Sequence, residues 1–137
     1  MRPSPSSQTI DLFERTYGIT IPEDLRDLLA TANGGHPELD SVNGAEGEFA
    51  IDTFYHLTED DRGTESLWYA MEHWRPILGD YALPFASDGG GNQFFLDLRE
   101  GVNEVKICLH DQSMRVQVVA NSFAELIDSL AIDPDFI

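Results

Sequence analysis

The chain has 137 residues, with 25 Asp and Glu against 8 Lys and Arg and a formal net charge of −17. That length suits one domain, and its average field repels the phosphates of nucleic acid and anionic membrane surfaces while attracting a basic protein. The lone Cys108 excludes an internal disulfide and a thiolate metal cage, and no stretch approaches the ~18 consecutive apolar residues of a membrane span. A cytoplasmic protein without cofactor or metal is the expectation.

Met1 to Gln8 is polar and rich in Pro and Ser. It lacks the apolar run of a signal peptide and reads as a flexible leader to a single domain spanning 1–137. Ile10, Phe13 and Tyr17 then recur at helical spacing, and Gly18 supplies the left-handed stop. Pro22 suits the first position of a second helix, because its missing N–H would be unpaired there, and Glu23 and Asp24 complement the helix dipole. Leu25, Leu28, Leu29 and Ala32 form its stripe, and Asn33-Gly34-Gly35 ends it. From Gly44 to Leu57 the period changes to two, predicting one half-buried strand with Phe54 as an exception on its polar face. Thr64 is placed to cap a third helix carrying Leu67, Met71 and Trp74, with Trp68 beside the stripe and Pro76 near its end.

Strands are predicted at Leu83 to Ser87, Gln93 to Leu98, Glu104 to Leu109 and Arg115 to Val119, with links short enough for antiparallel hairpins. Between the first two, Asp88-Gly89-Gly90-Gly91-Asn92 combines residues that accept positive φ with side chains that bond to nearby backbone. Asn121 to Leu130 closes the domain as a helix, with Ser122 and Glu125 as a capping box and Asp133-Pro134 as its stop. The sum is an α+β domain with about four helices packed on a mainly antiparallel, meandering sheet of about five strands.

Two segments, IPEDLRDLLATANGG at Ile21 to Gly35 and LPFASDGGGNQFFLDL at Leu83 to Leu98, together with the closing Ser-Phe-x-Glu helix, resemble the SUKH superfamily. That superfamily is named in part for a yeast cell-wall-synthesis regulator and includes many bacterial immunity proteins. The resemblance runs from about Ile10 to Leu130. It implies a small cytoplasmic module that binds and neutralises a cognate toxin, often a nuclease, while some relatives are regulators or scaffolds. The matching residues Pro22, Gly34, Gly35 and Asp88 to Asn92 all have structural explanations, so they identify a scaffold and say little about its partner.

Catalytic and metal chemistry finds little support. The triple-glycine turn lacks the lysine of a phosphate-binding loop, and its spacing does not match an EF-hand. Asp97, Glu104 and Lys106 have the order of a metal-dependent nuclease, but Glu104 and Lys106 also alternate as a solvent-facing strand would. His110-Asp111 lacks further ligands, His36, His56 and His73 are scattered, and Cys108 has no evident base. No Gly-x-Ser-x-Gly elbow is present.

Charge distribution is more informative, because nine acids lie between Glu38 and Glu65 with Arg62 as the sole base. Within the immunity reading, Glu46, Glu48, Glu59, Asp60 and Asp61 are nominated as contacts to a basic toxin. Phe54 and Trp68 are nominated as apolar anchors, with core packing as the competing role for both.

Overall fold

The computed structural model describes residues 2–35, 41–44, 47–99, 101–110 and 113–130, with backbone alone at 41–44, 47–49 and 130. Ser6 opens α1 (Ser7–Tyr17) by accepting the Thr9 N–H, and Gly18 closes it at φ 67°. In α2 (Glu23–Thr31), Pro22 stands just before the helix instead of at its first position, because its ψ of 145° is extended. The N-terminal segment expected to be flexible is tied to this helical pair. Asn33 Nδ2 donates to Pro3 O at 2.7 Å, Ser4 Oγ donates to Ala30 O, and the Arg2 N–H donates to Asn33 O.

The single strand expected over 44–57 is divided. β1 (Ser41–Gly44) and β2 (Gly47–Ala50) form a separate antiparallel hairpin, whereas β3 (Thr53–Phe54) joins the main sheet. Apolar alternation persists through both strands and the following link, so periodicity alone merges them. In α3 (Leu67–Leu78) the cap is Ser66, not Thr64: its Oγ accepts the Tyr69 N–H and donates to Gly63 O. Pro76 lies inside the last turn, where it withholds one helical hydrogen bond, and the helix ends at Gly79.

The remaining strands, β4 (Ala82–Ser87), β5 (Gln93–Asp97), β6 (Val105–Leu109) and β7 (Arg115–Ala120), extend the sheet in the order β3-β4-β5-β6-β7, every pair antiparallel. Then α4 (Phe123–Leu130) begins with Ser122 Oγ accepting the Glu125 N–H, half of the expected capping box. Asp133 and Pro134 lie outside the described residues. The predicted α+β architecture of helices on a five-stranded meander is what the structure shows.

Alternation along the strands sends side chains into two clusters. Leu83, Phe94, Leu96 and Ile107 join Phe13, Leu25, Leu29, Trp68, Phe123 and Leu126 in the larger one. Their strand neighbours Phe95 and Cys108 pack with Leu78 and Ala82 in the smaller. Burial on both faces explains why β4 and β5 read as continuous apolar runs. Each large side chain so buried contributes roughly 1.5–3 kcal/mol before conformational entropy is subtracted.

Candidate functional site

The acidic link before α3 is a shaped loop, not a slack one. Trp68 supports it from beneath by donating Nε1–H to Thr58 O at 2.7 Å. Thr58 Oγ1 accepts the Asp61 N–H, Asp61 Oδ1 accepts the Gly63 N–H, and Gly63 O receives the Ser66 N–H and hydroxyl. Glu59 and Asp60 lie exposed at the tip and have no ion pair or side-chain hydrogen bond among the described residues. Pinning the backbone in this way lowers the entropy lost when charges at the tip meet a partner.

The other nominated residues divide. Asp61 is committed inward: Arg2 donates to its Oδ2 from Nε at 3.2 Å and from a terminal nitrogen at 2.9 Å. The Gly63 N–H and then the Arg2 guanidinium hold its carboxyl below the usual carboxylate range. Trp68 is not an exposed anchor. It is 1% exposed and meets Phe13 edge-on at 5.0 Å, because α3 buries Leu67 and Trp68 together with Met71, a wider face than the sequence stripe implies. Arg62 covers its ring at 3.9 Å. Phe54 is half-buried, stacked near Phe85 with centroids 6.2 Å apart, and packs against the core. Glu48 lies in β2, where its side chain is not described, and Glu46 lies outside the described residues.

Two residues that sequence reading did not bring together lie beneath the loop. His56 is 1% exposed, with Nε2 3.6 Å from Asp61 Oδ2 and Nδ1 lacking a hydrogen-bond partner among the described residues. Burial, then the Arg2 charge, lower its pKa, while Asp61 and Glu65 oppose the shift. Asn33, expected only as a helix stop, clamps Leu57: its Oδ1 accepts the Leu57 N–H and its Nδ2 donates to Leu57 O, both at 2.8 Å. The partners are 24 residues apart and Arg2 is 59 from Asp61. No local pattern encodes such pairings.

Gly34 permits the clamp through close approach. At φ 86° its built Cβ would lie 2.7 Å from His56 Cβ, and Gly35 exchanges both backbone hydrogen bonds with Phe54. The triple-glycine turn is similarly self-contained. Asp88 accepts from the Gly90 and Asn92 N–H groups and from Asn92 Nδ2, and Asn92 Oδ1 accepts the His110 N–H. His110 Nε2 contacts Gly90 O at 2.6 Å, while a Cβ on Gly91 would come within 2.9 Å of that ring. These bonds occupy the side-chain oxygens that a cation would need.

Asp97, Glu104 and Lys106 do converge, but as an ion-pair cluster. Lys106 Nζ is 2.8 Å from Asp97 Oδ2 and 3.8 Å from Glu104 Oε1, and Arg99 grips both Asp97 oxygens. Asp97 has a fully buried side chain, and Arg99, with help from Lys106, keeps its carboxyl far below the ordinary range. Among the described residues no group of three His, Cys, Asp or Glu is placed to hold a metal. Nor is any described helix long and apolar enough to cross a membrane.

No curated protein matches the chain. The model of the SMI1 / KNR4 family (SUKH-1) matches residues 4–129, which takes in the five-stranded sheet and the described helices but for the final residue of α4. Members of that family are typically immunity proteins. With that match covering most of its length, the chain belongs to the SMI1 / KNR4 family (SUKH-1).

Proposed function

We propose that this protein is a non-enzymatic immunity protein, cytoplasmic in location, that binds and neutralises a basic toxin domain such as a nuclease. One observation carries the reading: acids outnumber bases 25 to 8, and at least six of the eight bases are engaged within the chain. Arg2, Arg26, Arg99 and Lys106 face carboxylates, Arg75 holds backbone carbonyls, and Arg62 lies over Trp68. The net charge of −17 gives the surface a negative field that steers a cationic partner. Glu59 and Asp60 are the loop-tip contacts, and Glu46 and Glu48 are nominated as further acids.

Co-expression with any toxin domain encoded beside this gene tests this reading. Expected are a stable complex, loss of toxin activity, and an association rate that falls steeply as salt rises. A purified protein that leaves every neighbouring toxin domain unbound and active refutes it.

A further inference from the structure

A cleft of about 790 Å³ opens where four distant segments meet: the α1–α2 link, the α3–β4 link, the β5–β6 turn and the start of α4. That volume lies in the range of sites that accept ligands or protruding side chains. Ile19, Leu98, Val102 and Phe123 give it apolar walls, while Asp24, Asp80, Arg75 and Arg99 contribute charge.

The two cations are already committed. Arg75 donates to Asp80 O from Nε and a terminal nitrogen, at 3.2 and 2.8 Å, and to Tyr17 O at 3.1 Å. Arg99 grips Asp97 and stacks over Tyr81 at 4.3 Å. Asp24 and Asp80 are exposed, and their carboxylates have no hydrogen bond or ion pair among the described residues. Asp24 is favoured by the N-terminus of its own helix, and Asp80 lies in a turn with Arg75 on its backbone carbonyl and not on its carboxylate. The unspent charge of the cleft is negative, and an anion would have to compete with Asp97 and the backbone carbonyls for its guanidinium groups.

We infer that this cleft receives an arginine or lysine side chain of the protein partner, its stem against Ile19, Leu98 and Val102 and its head on the Asp24 and Asp80 carboxylates. Long cationic side chains suit such a site because their methylene stems pack on apolar surface while the head reaches charge. The assignment rests on the basic-partner reading above and adds to it a specific site away from the acidic loop.

The test is an amide NMR titration with N-acetyl-arginine methylamide, its uncharged isostere N-acetyl-citrulline methylamide serving as control. Arginine is expected to shift Ile19, Asp24, Tyr81 and Val102 with one common midpoint, and citrulline is not. Replacing both carboxylates, Asp24→Asn with Asp80→Asn, should weaken the arginine probe by about tenfold or more. Val102→Trp should block the cleft without altering charge. Shifts spread evenly over Glu59, Asp60 and other exposed acids, equal binding of citrulline, or an unchanged midpoint in the double variant would overturn the site.

The adjacent toxin domain then separates the two readings. If it binds the wild type and the double variant equally, the cleft assignment falls and the immunity reading stands. If it does not bind the wild type although the arginine probe fills the cleft, the immunity reading falls instead.

Discussion

Replacing Asn33 with Ala removes a buried clamp whose three hydrogen bonds join the N-terminal segment, the end of α2 and the chain entering the acidic loop. Asn33 is 1% exposed, and its partners are the Leu57 N–H, Leu57 O and Pro3 O. The net worth of three ordinary hydrogen bonds is about 3 kcal/mol, and the groups left unpaired in a dry site raise the total to roughly 3–5 kcal/mol. With a urea slope of about 1.5 kcal/mol per molar, the unfolding midpoint should fall by roughly 2 M or more. Asn33→Asp is the sharper variant: it keeps the acceptor for Leu57 N–H but sets an anion against two carbonyls. It should therefore be at least as destabilising at neutral pH and partly recover in acid, where the protonated carboxyl regains a donor. A loss under about 1 kcal/mol for Asn33→Ala, with an unchanged slope, would refute the clamp.

Gly34→Ala should destabilise by about 2 kcal/mol or more, combining positive-φ strain with the approach to His56 Cβ, and thermal unfolding measures it. Lys106→Met keeps the aliphatic stem but removes one of the two cations on Asp97, so chemical denaturation should show a loss of about 1.5 kcal/mol at neutral pH. Because the Asp97 carboxyl is held below its unfolded value, its stabilisation is full above about pH 4 and declines as pH falls further; Asp97→Asn should flatten that acid limb of the stability curve. His56 has a lowered pKa, so the unfolded chain takes up a proton first as pH drops below about 6.5, and stability should fall there until the folded form also protonates; denaturation of His56→Gln should lack that slope.

What could be read from sequence was what is encoded locally. The stripe Ile10, Phe13, Tyr17 and its Gly18 stop gave the first helix, and the Asp88 to Asn92 turn placed the β4–β5 hairpin. Competing local signals produced the errors. Thr64 and Ser66 are both good caps, but only Ser66 also bonds to Gly63 O while placing Leu67 and Trp68 in the core. Sequence leaves Trp68 between anchor and core, because a two-residue-wide helical face cannot be distinguished from an off-stripe residue until Phe13 is packed against it. Asn33 resembled a helix stop, and its clamp depends on Leu57, whose position is set only once the sheet forms. The cleft was invisible for the same reason: Asp24, Asp80 and Val102 lie in separate elements and acquire a common wall only through folding.

This difference between local and assembled features gives the charge argument its physical form. With 25 Asp and Glu against 8 Lys and Arg, internal pairing does not alter the net charge of −17, and the exterior field is strongly negative. In the proposed complex, exposed charges at the Glu59-Asp60 tip would act on encounter, over distances comparable with the screening length, about 10 Å at 0.1 M salt. A cationic side chain in the proposed cleft would add short-range contacts of its stem with Ile19, Leu98 and Val102, which act on escape instead. Salt and the Asp24/Asp80 substitutions should therefore separate kinetically: rising salt should lower the association rate, whereas the double substitution should mainly raise the dissociation rate. Surface plasmon resonance with the adjacent toxin domain measures both rates, and a double variant slowed only in association would mean that the cleft acids merely add to the long-range field.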